Sequence, residues 1–339
     1  MRIQRQRVLT ALLLTCMAAG AGAAAAAALT DPAAVSASAA ALTDPAVAVA
    51  AALTDPAAVI VQVSGRVEVQ RAGRMLPAVV GTGLEHGDRV VVAAGARAVV
   101  MYRTGRFETV TAATAIEARE IDRPSGLYRQ TLQTIAQVAT TDAARQPNRQ
   151  GMIRPVPGQA TGIAPRNDVT VLDVRPSFVW FRVADAAGYT VQLQRTDVPG
   201  ARPVRFDAGR DTVWNYPAAA PPLVPGATYR WSVAANDRVA EPHTFRVISG
   251  AAYAALADAI AAIAAGGADP GAEALFVVAL RYRDAGLFYE AERALARMTE
   301  NGSGTGRAFH LLRGEVYDRI GALESASLAF QAADREPGL

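Results

Sequence analysis

From Val59 the chain alternates. In VIVQVSGRVEVQ the residues Val59, Val61, Val63, Val67 and Val69 recur at every second position, with Gln62, Glu68 and Gln70 between them, the pattern of a strand buried on one face. Further short strands are predicted at Arg89 to Val92, Arg97 to Tyr102, Arg106 to Val110 and Thr114 to Ala118, with Gly95 and Gly105 at turns. Their spacing describes a small all-β domain over 59–123. Ser125 then caps a predicted helix whose Tyr128, Leu132, Ile135 and Val138 share one side and should pack on the preceding strands. The stretch from Thr140 to Arg166 is rich in Pro, Gly, Gln and Arg without periodicity and reads as linker, within a helix-and-linker segment at 124–168.

Alternation returns at RPSFVWFRV, where Val179, Phe181 and Val183 oppose Phe178 and Trp180. In YTVQLQ, Tyr189, Val191 and Leu193 fall on one side, and in YRWSV so do Tyr229, Trp231 and Val233. This predicts a β-sandwich over 169–249. After Ser249 the period changes to three and four: Tyr253, Leu256, Ile260 and Ile263 form one stripe, ended by Gly266 and Gly267. Asp269 and Pro270 open a predicted helix over Ala272 to Ala285, stopped by Gly286. Tyr282, Gly286, Ala291 and Leu295 then recur, displaced by 35, as Tyr317, Gly321, Ala326 and Phe330. The fold class is therefore multidomain: a small β domain, a sandwich, and an α-helical repeat region over 250–339.

Three resemblances follow from these residues. Gly65-Arg66-Val67, Leu84-x-x-Gly87-Asp88-Arg89-Val90, Gly95, Ala98, Thr104-Gly105 and Thr114-x-Ile116 resemble the FecR domain of bacterial envelope proteins. Thr104 departs from the aspartate common there. The resemblance implies an extracytoplasmic domain, but only seven residues precede the first apolar run, too few for the cytoplasmic tail through which founding members signal. Leu223-x-Pro225-Gly226-x-x-Tyr229-x-Trp231 resembles the tyrosine corner of fibronectin type III-like sandwiches, in which a phenol bonds the backbone a few residues upstream. The displaced set resembles tetratricopeptide repeats, with Ala279 where the first copy would carry glycine. Two repeats rarely stand alone, so the Tyr253 helix is expected to pack on as a cap. By that resemblance Phe276, Leu280, Arg283, Leu311, Glu315 and Asp318 would line a partner-binding groove; the alternative is that they are interhelical or solvated positions.

Charge and composition narrow the class. The 339-residue chain has net charge +3 and contains no lysine; Arg2, Arg5 and Arg7 precede the first acid, and the remaining 31 basic residues balance 31 acidic ones. No basic stripe remains for nucleic acid. The arginines, the apolar run Val8 to Met17 and small residues such as Ala21-Gly22-Ala23 form an export signal over 1–28. Retention as an anchor, or lipidation at Cys16 after cleavage, are the other outcomes, and membrane contact is expected only through this end. ALTDPA occurs three times in the low-complexity tether at 29–58. With one cysteine, no intramolecular disulfide is available.

The densest polar cluster, GLEHGDRV, holds Glu85, His86 and Asp88. It reads as a turn: Asp88 accepts backbone N–H bonds while Glu85 and His86 face water. The other histidines, His243 and His310, fall in other predicted domains, so no metal site is expected. Asn301 to Gly306 lacks the lysine of a phosphate loop and reads as a flexible connector. Trp214 and Tyr216 are the aromatics open to a carbohydrate-platform reading, with edge-strand packing the expected one. No catalytic residue or cofactor is assigned. The expected function is that of a non-enzymatic exported binding or scaffold protein of the bacterial cell envelope, periplasmic or otherwise extracytoplasmic, with an envelope protein, peptide or polysaccharide as partner. The alternative is a membrane-anchored FecR-like sensor.

Overall fold

The structure, a computed structural model, describes residues 56–116, 123–141 and 160–336. The export signal, Cys16, nearly all of the tether and most of the linker lie outside the described residues.

Eight strands form the first β region: β1 (Ala58–Ser64), β2 (Val67–Arg71), β3 (Arg74–Pro77), β4 (Gly83–Leu84), β5 (Arg89–Val92), β6 (Arg97–Tyr102), β7 (Phe107–Val110) and β8 (Thr114–Ala115). They make two antiparallel sheets, β4-β1-β6-β7 and β3-β2-β5-β8. The single-face reading of β1 needs correction. A bulge interrupts its pairing with β6 between Ile60 and Gln62, reversing the parity of the strand. Ile60 and Val63 therefore pack with Val67 and Val69 between the two sheets, while Val59 and Val61 point the other way into a second core. Gln62, expected to face water, is 1% exposed and donates through Nε2 to Ala272 O at 3.1 Å.

The second β region holds β9 (Gly162–Ala164), β10 (Val169–Val171), β11 (Ser177–Trp180), β12 (Tyr189–Arg195), β13 (Val204–Gly209), β14 (Val213–Asn215), β15 (Thr228–Ala235), β16 (Arg238–Val239) and β17 (His243–Val247). The larger sheet runs β10-β17-β15-β12-β13 with β16 beside β15, and the smaller runs β14-β11-β9. Between them Phe178 meets Trp214, Trp231 and Phe245 with ring centroids 5.0–5.7 Å apart, the tilted and edge geometries that aromatic quadrupoles favour. Tyr229 Oη accepts from Val224 N at 3.0 Å, the upstream backbone bond expected of this tyrosine. Trp214 and Tyr216 pack with Phe206 and are buried, the expected edge packing.

Six helices complete the chain: α1 (Gly126–Thr141), α2 (Gly250–Ala265), α3 (Leu275–Asp284), α4 (Phe288–Glu300), α5 (Arg307–Ile320) and α6 (Leu323–Arg335). Ser125 Oγ accepts from Tyr128 N and Ser249 Oγ from Ala252 N, as the caps require. In α2, Leu256 and Ile263 are buried, but Tyr253, placed in the same stripe by the sequence, is exposed. The start of α3 also differs. Asp269 folds a turn of its own, accepting from Gly271 N through Oδ1, and the helix begins only at Leu275.

The 35-residue displacement is visible in the backbone. Gly286 and Gly321 have φ of 74° and 80°, and Leu287 and Ala322 have (φ, ψ) of (−85°, 66°) and (−86°, 64°), each opening the second helix of its hairpin. Side chains compensate between copies: Gly314 lies under the Phe330 ring, where a Cβ would come within 2.5 Å, while the equivalent pair is Ala279 and Leu295. Gly314→Ala should therefore destabilise the fold by about 1 kcal/mol, since overpacking of about 1–3 kcal/mol exceeds the helix-propensity gain of about 1 kcal/mol. Adding Phe330→Leu should recover most of it in denaturant titrations. An additive double mutant would show that the ring does not define this site.

One buried cluster links the β4-β1-β6-β7 sheet, the sandwich and the helices. It contains Val59, Val99 and Met101 from the first sheet, Tyr128 and Ile135 from α1, Trp180 and Trp231 from the sandwich, and Phe276 and Phe309 from the helices. Backbone contacts accompany it: Phe107 N donates to Gly266 O at 2.6 Å, and Thr170 N to Gly286 O at 3.0 Å. Gly306, at φ 94°, abuts Val79, and a Cβ there would be 2.7 Å from the Val79 Cβ. The connector Asn301 to Gly306, expected to be flexible, is thus packed: Ser303 is fully buried and Gly304 sits against Phe309. Among the described residues no helix is long and apolar enough to cross a membrane.

Candidate functional site

The face formed by α3 and α5 is where the repeat resemblance places a groove. Helix periodicity puts Phe276, Leu280 and Arg283 on one side of α3, and Leu311, Glu315 and Asp318 on the matching side of α5. The structure does not leave this face open. Helix α1 packs against α5, α3 and α2, and β1 packs against α3. Phe276, Leu280 and Leu311 are each 2% exposed or less and belong to the cluster that holds Tyr128, Ile135 and Val138 of α1. Of the six candidate positions, these three are core residues. The helix after Ser125 was expected to pack on the preceding strands; it packs chiefly on the helices because its apolar side matches theirs.

The polar members form a buried network. Arg283 donates to both carboxylate oxygens of Glu315 at 3.0–3.2 Å, a two-pronged pair tying α3 to α5. Burial pulls the Arg283 guanidinium down, but the charges and hydrogen bonds of Glu315 and Asp284 together more than offset it, so the group is held above its ordinary range. Asp318 is only half-buried. Two residues before Arg283 and on another side of α3, Arg281 is 3% exposed and, among the described residues, reaches only Asp284, at 3.6 Å; its guanidinium nitrogens make no hydrogen bond there. Burial lowers its pKa, with Asp284 acting the other way. Asp284 in turn accepts from Thr134 Oγ1 of α1 at 3.3 Å. Sequence reasoning missed Arg281 and Thr134. Thr131 and Thr134, buried at helical spacing on α1, were the available signal that this helix meets polar partners.

The cluster of Glu85, His86 and Asp88 is a turn with one addition. Asp88 is 3% exposed, accepts from Glu85 N at 2.9 Å, and is gripped by Arg71 from β2 at 2.6–3.1 Å. Arg71 NH1 also lies 3.3 Å from Glu85, while His86 faces water. The arrangement locks a β-turn to the neighbouring strand, and the guanidinium consumes the acid that a metal would need. Thr104 Oγ1 accepts from Arg106 N at 3.4 Å within the turn between β6 and β7. Among the described residues no three His, Cys, Asp or Glu side chains gather as a metal site.

No family model matches the chain. No curated protein matches it either. Among solved structures, similarity extends to a myokine structure at 17% identity, covering 27% of this chain and 99% of that one, with TM-score 0.21. It extends also to the FN1–FN3 domains of chicken CNTN1, at 11% identity over 57% of each chain and TM-score 0.21. A two-domain fibronectin type III segment from chicken tenascin is 12% identical, with TM-score 0.18, over 54% of this chain and 81% of that one. These are distant structural likenesses, two of them to tandems of fibronectin type III domains, on a chain that combines several small antiparallel sheets with an all-helical C-terminal region of five helices.

Proposed function

We propose that the chain is an exported, non-enzymatic binding or scaffold protein of the bacterial cell envelope, in which a FecR-like β domain and a fibronectin type III-like sandwich are clamped by tetratricopeptide-like helices. The observation that supports this reading best is the shared cluster, in which side chains of both β regions and the helices bury one another. In it the helical face that would take a peptide in a free repeat array is spent internally, on α1 and β1. What such a body offers is its outer surface, with catalytic chemistry assigned to none of its clusters.

Fractionation of the native host followed by N-terminal sequencing tests the export reading. The expected result is a soluble extracytoplasmic protein lacking residues 1–28. An intact Met1 or Arg2 in the membrane fraction would replace it with the anchored-sensor reading, and recovery from the cytoplasm would end both.

A further inference from the structure

We propose that the outer face of the larger sandwich sheet binds an anionic polysaccharide along a diagonal of three arginines, Arg205, Arg230 and Arg246. The face follows from strand alternation. Val191, Leu193, Tyr229, Trp231, Val233 and Phe245 point into the core, so their neighbours point outward. The pairing register sets Gln192 between Arg205 and Ser232, Gln194 against Arg230, and Thr228 against Arg246. Strand spacing and rise then place the Cα atoms of Arg205 and Arg230 roughly 12 Å apart, and those of Arg230 and Arg246 roughly 8 Å apart, along one oblique line. All three arginines are exposed.

Among the described residues no carboxylate forms an ion pair with any of the three arginines. Asp207, on β13, accepts from Gly209 N at 2.9 Å, and Asp168, beside β10, accepts from Thr244 Oγ1. Glu241, on the turn into β17, lies near Arg166 and His243.

Beside this line lies a groove of about 300 Å³ that Arg230 lines and Arg205 and Arg246 do not. Gln192, Gln194, Arg230 and Ser232 line its floor, with Pro203 on one side and Val239, Ala240 and Pro242 on the other. Gln194 is engaged, bonding Ala201 O and receiving Arg230. Gln192 and Ser232 have no side-chain hydrogen bond among the described residues, although Ser232 is 92% buried. The Ser232 hydroxyl and the half-buried Gln192 amide offer a ligand, or water, both donors and acceptors at the floor of the groove.

The chemistry selects among anions. Nucleic acid carries its charges far more densely than these arginines are spaced, and no aromatic is exposed on this face to stack a base. An acidic peptide would satisfy the charges, but its backbone finds no open strand edge in this groove, since β12 and β15 are paired on both sides. A chain of sugars with a carboxylate on alternate units matches the spacing. It presents hydroxyls to Gln192 and Ser232, and C–H faces to the proline and valine walls.

This inference deepens the binding role proposed above and rests on it for its setting, but it is tested on the purified full-length chain, so mislocalisation would sink the export reading alone. Isothermal titration with hyaluronate, neutral dextran and polyglutamate distinguishes the ligands. Hyaluronate should bind, with affinity falling as salt rises. The combined substitution Arg205→Gln, Arg230→Gln and Arg246→Gln should weaken it by about tenfold or more, consistent with three exposed charge contacts, with melting unchanged. Arg230→Gln alone should show a smaller loss and serves if the triple variant fails to fold. Ser232→Ala, which removes the hydroxyl and adds no bulk, should also weaken binding. Absence of hyaluronate binding, equal binding of dextran, preference for polyglutamate, or undiminished affinity in the arginine variants would overturn the proposal.

Discussion

Phe276→Ala should lower stability by about 3–5 kcal/mol, the usual cost of emptying a buried phenylalanine site, and should shift the unfolding of every part of the molecule together. The ring is 1% exposed, on a helix buried continuously from Leu275 to Arg281. Strand β1 packs on that helix from one side, and α1 and α5 pack on it from others. Their side chains share one cluster with the sandwich aromatics Trp180 and Trp231. A cavity at Phe276 thus loosens the β1 face, the helical hairpins and α1 at once. Tryptophan fluorescence reports the sandwich, where Trp180, Trp214 and Trp231 all reside, and far-ultraviolet dichroism reports the helices. The two curves should coincide in the wild type and move by the same amount in the variant. A sandwich signal that holds its midpoint while the helical signal shifts would show that the modules fold independently.

The second large effect belongs to Arg283→Glu, which should cost about 3–5 kcal/mol, as removal of one partner from a buried pair does. In an open repeat groove the same change would act on partner capture and leave the fold intact. Here the Arg283 side chain is 17% exposed and that of Glu315 is 9% exposed, so the variant sets two carboxylates face to face out of water. Exchanging the pair, Arg283→Glu with Glu315→Arg, should recover part of the loss in urea titrations. Retained stability in the single variant would mean that solvent reaches this face and that α1 does not cover it.

Much of the local structure was legible. The strands at Arg89–Val92 and Arg97–Tyr102 lie where short apolar runs separated by glycine turns place them, with Gly95 between them at positive φ. The bond from Val224 N to the Tyr229 phenol and the left-handed glycines Gly286 and Gly321 were equally readable, each tied to a short spacing. What failed failed for long-range reasons. The bulge in β1 exposes no signal in VIVQVS, since valine and isoleucine fill both faces, and Gln62 bonds a carbonyl in the turn before α3, more than two hundred residues on. Of the candidate groove residues, Phe276, Leu280 and Leu311 lie in the core. Nothing local in Phe276, Leu280 or Leu311 says whether a neighbour from the same chain lies on it. The three arginines of the sandwich sheet are far apart in sequence, on β13, β15 and β17, and strand register alone aligns them.

The sequence by itself therefore determined several of the strands and helices, some of the turns between them, and that the helical part repeats every 35 residues. These depend on side-chain period, glycine freedom and capping, interactions that span a few residues. The tertiary structure decided which faces meet: β1 buried on both sides, α1 laid across the inner side of the helices, and the polar sheet face left open to water. Those outcomes depend on complementary apolar areas more than a hundred residues apart, and burial of such area is non-directional, so the pattern along the chain marks a face as apolar without naming its partner.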